Sequence, residues 1–479
     1  MKISWTSFHN VINGAIRGPE QIAYGLNPVT SEKLWPVPIA SSKDLDRAVA
    51  AAKEAFPAWA NTSLEERKDM IMTYEARVRA AQGELMDLLT LEGGKPRSVA
   101  AFEVDFVLRW FKYHLTLALD EEKVELQDRT LETRYTPLGV VAAICPWNFP
   151  LVLTIGKVLP ALLTGCCVIV KPSPFTPYTT LKIVEMALDI FPPGVFQGLN
   201  GDDSLGPAMV THPDIAKISF TGSVPTGMKI MEQSGSTLKR ITLELGGNDA
   251  AIILPDVDIS KVAKQIVSSA LLNAGQMCVA TKRVYIHTSI YERFVAAAVD
   301  AMQEVVAGHP DSREATIGPI QNKPQYDRVI ALLEDCKTHG YTLRAGKQIA
   351  ENLEGGLFVQ PTLVDNPPDS SRVVVEEAFG PIFPTLKWTD TEELLARVNA
   401  TETGLGASVW SCNVESASAI ARRLEVGSVW INMIETPIPD AYFSGHKRSG
   451  IGGEWGRHGW RAYCNAQVIH TMKSKGSRL

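Results

Sequence analysis

Five short apolar runs, Val140–Cys145, Cys167–Val170, Val195–Gly198, Ile218–Phe220 and Ile241–Leu245, are each followed or separated by a stretch of helical periodicity. Strands that read as continuous apolar runs are buried on both faces, and strands alternating with helices build a parallel sheet covered by helices. The fold class expected is therefore α/β. Sheets of this kind take their ligands just beyond the carboxyl ends of the strands, so chemistry is to be sought in the turns that leave these five runs. A second alternating stretch follows, with Ala251–Leu254, a helix from Asp258, Val284–His287 and a helix over Tyr291–Val306. It reads as a second α/β domain over roughly 246–446. Before the first run lies a helical layer, opened by the capping boxes Ser41-x-x-Asp44 and Ser63-x-x-Glu66. Residues 121–136 instead alternate charged and apolar side chains, the pattern of an exposed antiparallel ribbon that is marginal alone and gains from a partner subunit.

Composition removes several classes of function. The 479 residues, 45% hydrophobic and 21% charged, are globular in balance, with length for about three domains of ~150 residues. A net charge of −6, with no block of like charge, offers no footprint for nucleic acid or a membrane surface, so a small-molecule partner is expected. Seven cysteines without paired C-x-x-C spacing read as reduced thiols in an intracellular protein, and no metal site is expected. The opening MKISWTSFHN has no apolar core for secretion. Leu151–Val170 holds one charge, Lys157, and imitates a membrane span. Pro160 and Gly165 interrupt it, which suits a buried helix feeding a buried strand.

Four segments could carry chemistry. Phe220-Thr221-Gly222-Ser223, with Gly227 after it, turns a strand into a helix whose first amides could face a phosphate, although such a turn is more often a plain cap. Glu244 ends an apolar strand and is followed by Leu245-Gly246-Gly247. Burial would make it a stronger base, and pairing with a cation is the alternative. Cys278, in Gln276-Met277-Cys278-Val279, closes a helix rich in small residues and is either a core filler or a nucleophile. Asn148 is the only polar side chain in Pro146-Trp147-Asn148-Phe149-Pro150, a turn-former or a fixed oxyanion donor.

Taken together, PWNFP at 146–150, KPS at 171–173, FTGS with Gly227 at 220–227, LELGG at 243–247, GQMC at 275–278 and EEAFGP at 376–381 resemble the aldehyde dehydrogenase superfamily in order and separation. GSVWIN at 427–432 and KRSG at 447–450 extend the match over essentially the whole chain. The resemblance implies a Rossmann-like cofactor domain over 1–118 and 137–245. It also implies a catalytic α/β domain over 246–446 and a small β oligomerisation arm over 119–136 and 465–479, completed by a strand near Ala466–Met472. Homodimers or homotetramers are implied with it. In chemistry, it implies that Cys278 attacks an aldehyde carbonyl, that Asn148 and the Cys278 amide hold the oxyanion, and that Glu244 activates the water that releases the acid. NAD would be the cofactor. Its adenosine ribose would meet Lys171, its pyrophosphate Ser223 and its nicotinamide ribose Glu377, with Phe379 beside the ring and Trp147, Ser173, Pro174, Gly222, Gly227 and Leu245 around them.

Three positions depart from the family pattern. Pro174 replaces the usual acidic residue, which makes NADP plausible alongside NAD. Ser444-Gly445 stands for a double glycine. Gly156 occupies a position where relatives carry a bulky tunnel residue, which implies room for large aldehydes. A relative that passes its thioester to coenzyme A would not need Glu244, and a non-catalytic descendant would not keep Cys278, Glu244 and Asn148 together. The final Ser477-Arg478-Leu479 matches the peroxisomal tripeptide class, so the expected compartment is the peroxisome in a eukaryote and the cytoplasm otherwise.

Overall fold

The computed structural model describes residues 3–18, 20–118, 121–349, 353 and 355–473. The expected runs form the centre of an eight-stranded sheet. Its five parallel strands lie in the order Phe196–Gly198, Cys167–Lys171, Val140–Ile144, Lys217–Thr221 and Arg240–Glu244. The chain starts at Val140–Ile144, builds outward through two strands on one side, then crosses back to build Lys217–Thr221 on the other. Adjacent strand ends whose connections depart in opposite directions leave a crevice between Val140–Ile144 and Lys217–Thr221. The segments leaving those two ends are PWNFP and Thr221-Gly222-Ser223.

The right-handed crossover rule puts Pro150–Leu163 and Tyr178–Glu185 on one face, and Leu205–Thr211 and Val224–Ser234 on the other. Pro150–Leu163 is buried along its entire length, under Leu64–Ala80 and Arg97–Thr116, which explains its membrane-like hydropathy. Among the described residues no helix is long and apolar enough to cross a membrane. The helix Tyr178–Glu185 continues as turns over 186–190.

A separate seven-stranded sheet runs Thr342–Ala345, Thr362–Asp365, Ile382–Trp388, Arg283–His287, Ala250–Ile253, Gly406–Trp410 and Ser428–Ile431, parallel except at its first strand. The fold is thus α/β with a Rossmann-like sheet and a second sheet of its own core. Arg240–Glu244 leads through Gly246 and Gly247 directly into Ala250–Ile253, so the carboxyl edge of the first sheet faces the amino edge of the second. Gly450–Ile451 returns from far along the chain to pair antiparallel with Leu243 and Glu244. The ribbon Glu122–Glu125 and Arg129–Pro137 is completed by Cys464–Met472, paired residue by residue from Cys464↔Pro137 to Met472↔Arg129. The terminal Ser477-Arg478-Leu479 lies outside the described residues.

Candidate active site

Asn148 and Cys278 come from facing sheets and are tied together by one network. The Asn148 amide donates to the Gln276 carbonyl at 3.1 Å, and Asn273 Nδ2 donates to the carbonyl of Asn148 at 3.3 Å. Gln276 is held in turn: its amide donates to Asn273 O at 2.9 Å, and its Oε1 accepts from the Gln321 amide at 2.8 Å. Cys278 does not close a helix, contrary to the sequence expectation. The helix Ile259–Leu271 ends earlier, and Asn273, Ala274 and Gly275 take left-handed conformations, with φ of 52°, 55° and 73°. A left-handed alanine costs ~1–2 kcal/mol, which the surrounding hydrogen bonds must offset. Gly275 is required there, because a Cβ would stand 2.1 Å from the Gly380 carbonyl. The outcome is an irregular loop that turns Cys278 into a cavity, half-buried, with burial pushing its thiol up to about 12 and Lys282 pulling the other way.

Glu244 ends its strand buried, and neither carboxylate oxygen has a hydrogen-bond partner. Burial first, then the Glu454 carboxylate, hold its acid form well above the usual carboxylate range, against the opposing pull of Lys157. Glu454 is itself paired, with Lys157 Nζ at 2.5 Å and the Ser219 hydroxyl at 2.6 Å. Lys157, the lone charge of the apolar stretch, therefore sits in the core beneath Glu244 because Glu454 is there to meet it. The two glycines after Glu244 are dictated by crowding: a Cβ on Gly246 would lie 2.1 Å from Glu377 Oε2, and one on Gly247 2.5 Å from Asp249 Oδ1.

Two cavities meet at this point. Asn148, Thr221, Glu244, Leu245 and Cys278 line both. One is an apolar tunnel walled by Phe102, Phe106, Trp110, Phe149, Phe443 and Trp455. The other is a more polar cleft holding Trp147, Gly222, Ser223, Glu377 and Phe379, with Gln325 and Arg328 at its side. Gly156 does not leave the tunnel open as its sequence position suggested. A Cβ there would stand 2.8 Å from Trp455 Nε1 and 3.3 Å from Trp110 Nε1, so two indoles already occupy the space.

The expected cofactor residues fall into two groups. Trp147 and Phe379 meet edge-to-face at 5.4 Å in the cleft, and Glu377 Oε1 lies 3.1 Å from Lys282 Nζ. Ser223 caps the helix Val224–Ser234, accepting from Thr226 N at 3.4 Å, and stays exposed. Gly222 and Gly227 are explained by packing, against Phe220 and Leu245 respectively. Lys171, Ser173 and Pro174 sit on the neighbouring turn and do not line the cleft. Lys171 Nζ donates to the Pro172 carbonyl at 3.3 Å, burial lowers its pKa, and the Asp203 carboxylate opposes that fall. Ser173 Oγ accepts from Phe175 N at 3.3 Å, and Pro174 is exposed. An exposed helix N-terminus at the sheet's crevice, an aromatic pair and a carboxylate opposite a glycine suit a dinucleotide. Among the described residues no group of three or more His, Cys, Asp or Glu could hold a metal ion. Sequence reasoning missed Glu454, Lys282 and the two tunnel tryptophans. Only the isolated charge at Lys157 hinted at a buried partner.

The family model of the aldehyde dehydrogenase family matches residues 18–469. Aldehyde dehydrogenase LUC3 of a Fusarium species is 43% identical over 471 residues, covering 98% of this chain and 100% of the relative. Among solved structures, a mutant aldehyde dehydrogenase C of Pseudomonas syringae, complexed with NAD+ and octanal, is 33% identical with a TM-score of 0.92, over 97% of this chain and 96% of that one. An NADP-dependent enzyme of E. coli is 30% identical with a TM-score of 0.94, over 98% and 99%.

Proposed function

The chain belongs to the aldehyde dehydrogenase family, whose members oxidise aldehydes with NAD or NADP, and from that premise we propose that it converts an aldehyde to the free carboxylic acid through a covalent intermediate on Cys278. The observation that carries the reading is the shared lining: Cys278, Asn148 and Glu244 stand where an apolar tunnel and a polar cleft open into one another. The tunnel delivers the aldehyde to the sulfur. The Asn148 amide and the backbone N–H of Cys278 stabilise the oxyanion of the thiohemiacetal, an interaction typically worth ~10²–10³ in rate. NAD or NADP, when bound, would supply the acceptor for the hydride that the thiohemiacetal gives up in becoming a thioester on Cys278. Trp147, Ser223, Glu377 and Phe379 would hold the nicotinamide and phosphate portions, with Gly222, Gly227 and Leu245 shaping their bed, and Lys171, Ser173 and Pro174 would meet the adenosine end. Glu244 then removes a proton from water as that water attacks the thioester, and the thiol leaves with the acid released.

Catalysis requires Glu244 in its ionised form and Cys278 as thiolate, whereas burial favours the neutral form of each. The like charge of Glu454 keeps Glu244 a strong base once it has lost its proton. The arm Glu122–Glu125, Arg129–Pro137 and Cys464–Met472 would join copies into a homodimer or homotetramer. Absorbance of reduced cofactor with an aldehyde panel tests the activity. In the same assay Cys278→Ala should produce no acid, and Glu244→Gln should accumulate a thioester detectable by mass. Normal steady-state oxidation by Cys278→Ala would overturn the mechanism.

A further inference from the structure

The walls of the tunnel are built from two stacked pairs of rings. Phe106 lies 5.4 Å from Trp110 with the planes 25° apart, and Phe443 lies 5.1 Å from Trp455 at 26°. The pairs meet where Trp110 and Trp455 cross edge-to-face, 5.1 Å apart at 85°. Gly156 makes that crossing possible, since any side chain at 156 would strike one or both indoles. Both indole N–H groups are buried beside Gly156 without an acceptor, so the rings offer the lumen carbon rather than a donor.

Positive charge is equally absent from the walls. Among the described residues no Lys, Arg or His lines the tunnel. Its carboxylates away from the sulfur are spent. Glu103 takes Lys95 Nζ at 2.5 Å on one oxygen and the amides of Leu151 and Val152 on the other, and Glu454 takes Lys157. Glu244 stands beside Cys278, where the carbonyl end of a substrate must lie. A cationic tail would exchange its water for ring faces alone, with no counter-ion, and an anionic one would find no cation.

On the function proposed above, we infer that this tunnel selects neutral, flat aldehydes whose carbonyl is conjugated to an aromatic ring or an extended π system. A flat molecule can present a face or an edge to each ring pair at once. It also has few rotors to freeze, whereas a saturated chain of the same size gains only the area it buries.

The inference can be tested apart from turnover. Cys278→Ala protein is titrated with cinnamyl alcohol, 3-phenylpropan-1-ol and choline, followed by tryptophan fluorescence and calorimetry. Cinnamyl alcohol should bind tighter than its saturated counterpart, which keeps the phenyl ring but must freeze more rotors, by about tenfold, and choline weakest of the three. In the parent enzyme kcat/KM should fall in the order cinnamaldehyde, 3-phenylpropanal, betaine aldehyde. Trp110→Leu should bring the first two together, and Phe443→Leu serves the same purpose if that variant does not fold. Equal or tighter binding of the saturated or the cationic alcohol overturns the inference. Planar preference in binding, with no aldehyde reducing NAD or NADP, overturns the oxidation reading and leaves the tunnel assignment standing.

Discussion

Lys282 and Glu377 form an ion pair, Nζ to Oε1 at 3.1 Å, and the same ammonium donates to the carbonyl of Cys278 at 2.6 Å. A residue from the proposed cofactor cleft and the proposed nucleophile are thereby held by one buried cation. Lys282 is raised above its ordinary pKa because Glu377, Asp249 and Cys278 together outweigh the cost of its burial, so it stays charged through the neutral range.

Removing that charge should make the thiol harder to ionise. A Lys282→Met protein should alkylate with iodoacetamide at least about tenfold more slowly at pH 8, equivalent to roughly one unit of thiol pKa. Its pH–rate curve should move to higher pH. A curve superimposable on the parent's would show that Lys282 only braces the loop.

The protonation of Glu244 gives a second expectation. Its acid form persists above the usual carboxylate range, so the base is present only at higher pH, and thioester hydrolysis should rise with pH through that shifted value. Glu454→Gln removes the like charge and leaves Lys157, so the rising limb should move to lower pH, while the unpaired Lys157 costs ~3–5 kcal/mol of stability. Pre-steady-state deacylation across pH, with Tm recorded in parallel, measures both. A limb that stays in place would remove Glu454 from the account.

At Gly156 the structure reverses the sequence expectation of spare room. A single methyl group there meets Trp455 Nε1 at 2.8 Å. Gly156→Ala should lower stability by about 1–3 kcal/mol, as overpacking does, and Gly156→Trp should fail to fold or displace both indoles. Denaturant unfolding of the alanine variant decides; unchanged stability would mean the rings can yield.

Pro174 remains the natural test of cofactor choice. A carboxylate introduced by Pro174→Glu would attract ribose hydroxyls and repel a 2′-phosphate, so the ratio of kcat/KM for NAD over NADP should rise. No change on substitution would take Pro174 out of the selection.

What could be read from the sequence was whatever is local in sequence or periodic in space. Val140–Ile144 and Cys167–Lys171 announced themselves because a strand buried on both faces has no polar position to break the run. Asn148, Glu244 and Cys278, which line both cavities, were picked out from short motifs at the ends of strands or in the loop before one. Lys157 was visible as an oddity, but its partner Glu454 is distant in sequence, and no local pattern joins them. The left-handed Asn273-Ala274 pair was hidden, because alanine promises helix and only the loop's long-range hydrogen bonds overrule it. Trp110 and Trp455 failed to register as tunnel walls for the same reason: an indole buried in a core and one lining a cavity look alike in sequence.

The pairing of Gly450–Ile451 with Leu243 and Glu244 has a consequence in time. Ribosomes make chain at roughly 5–20 residues per second, so the segment carrying Gly450 and Glu454 emerges tens of seconds after Glu244. Until it arrives the edge of the first sheet at Glu244 is open, Lys157 lacks its counter-charge, and the rear of the tunnel lacks Trp455. The nascent chain can hold a nearly complete cofactor-side sheet and still be unable to work on an aldehyde. Maturation of the site is thus tied to synthesis of the segment that carries Gly450 and Glu454, and fragments released before it would carry the nucleophile without the surroundings that make it useful.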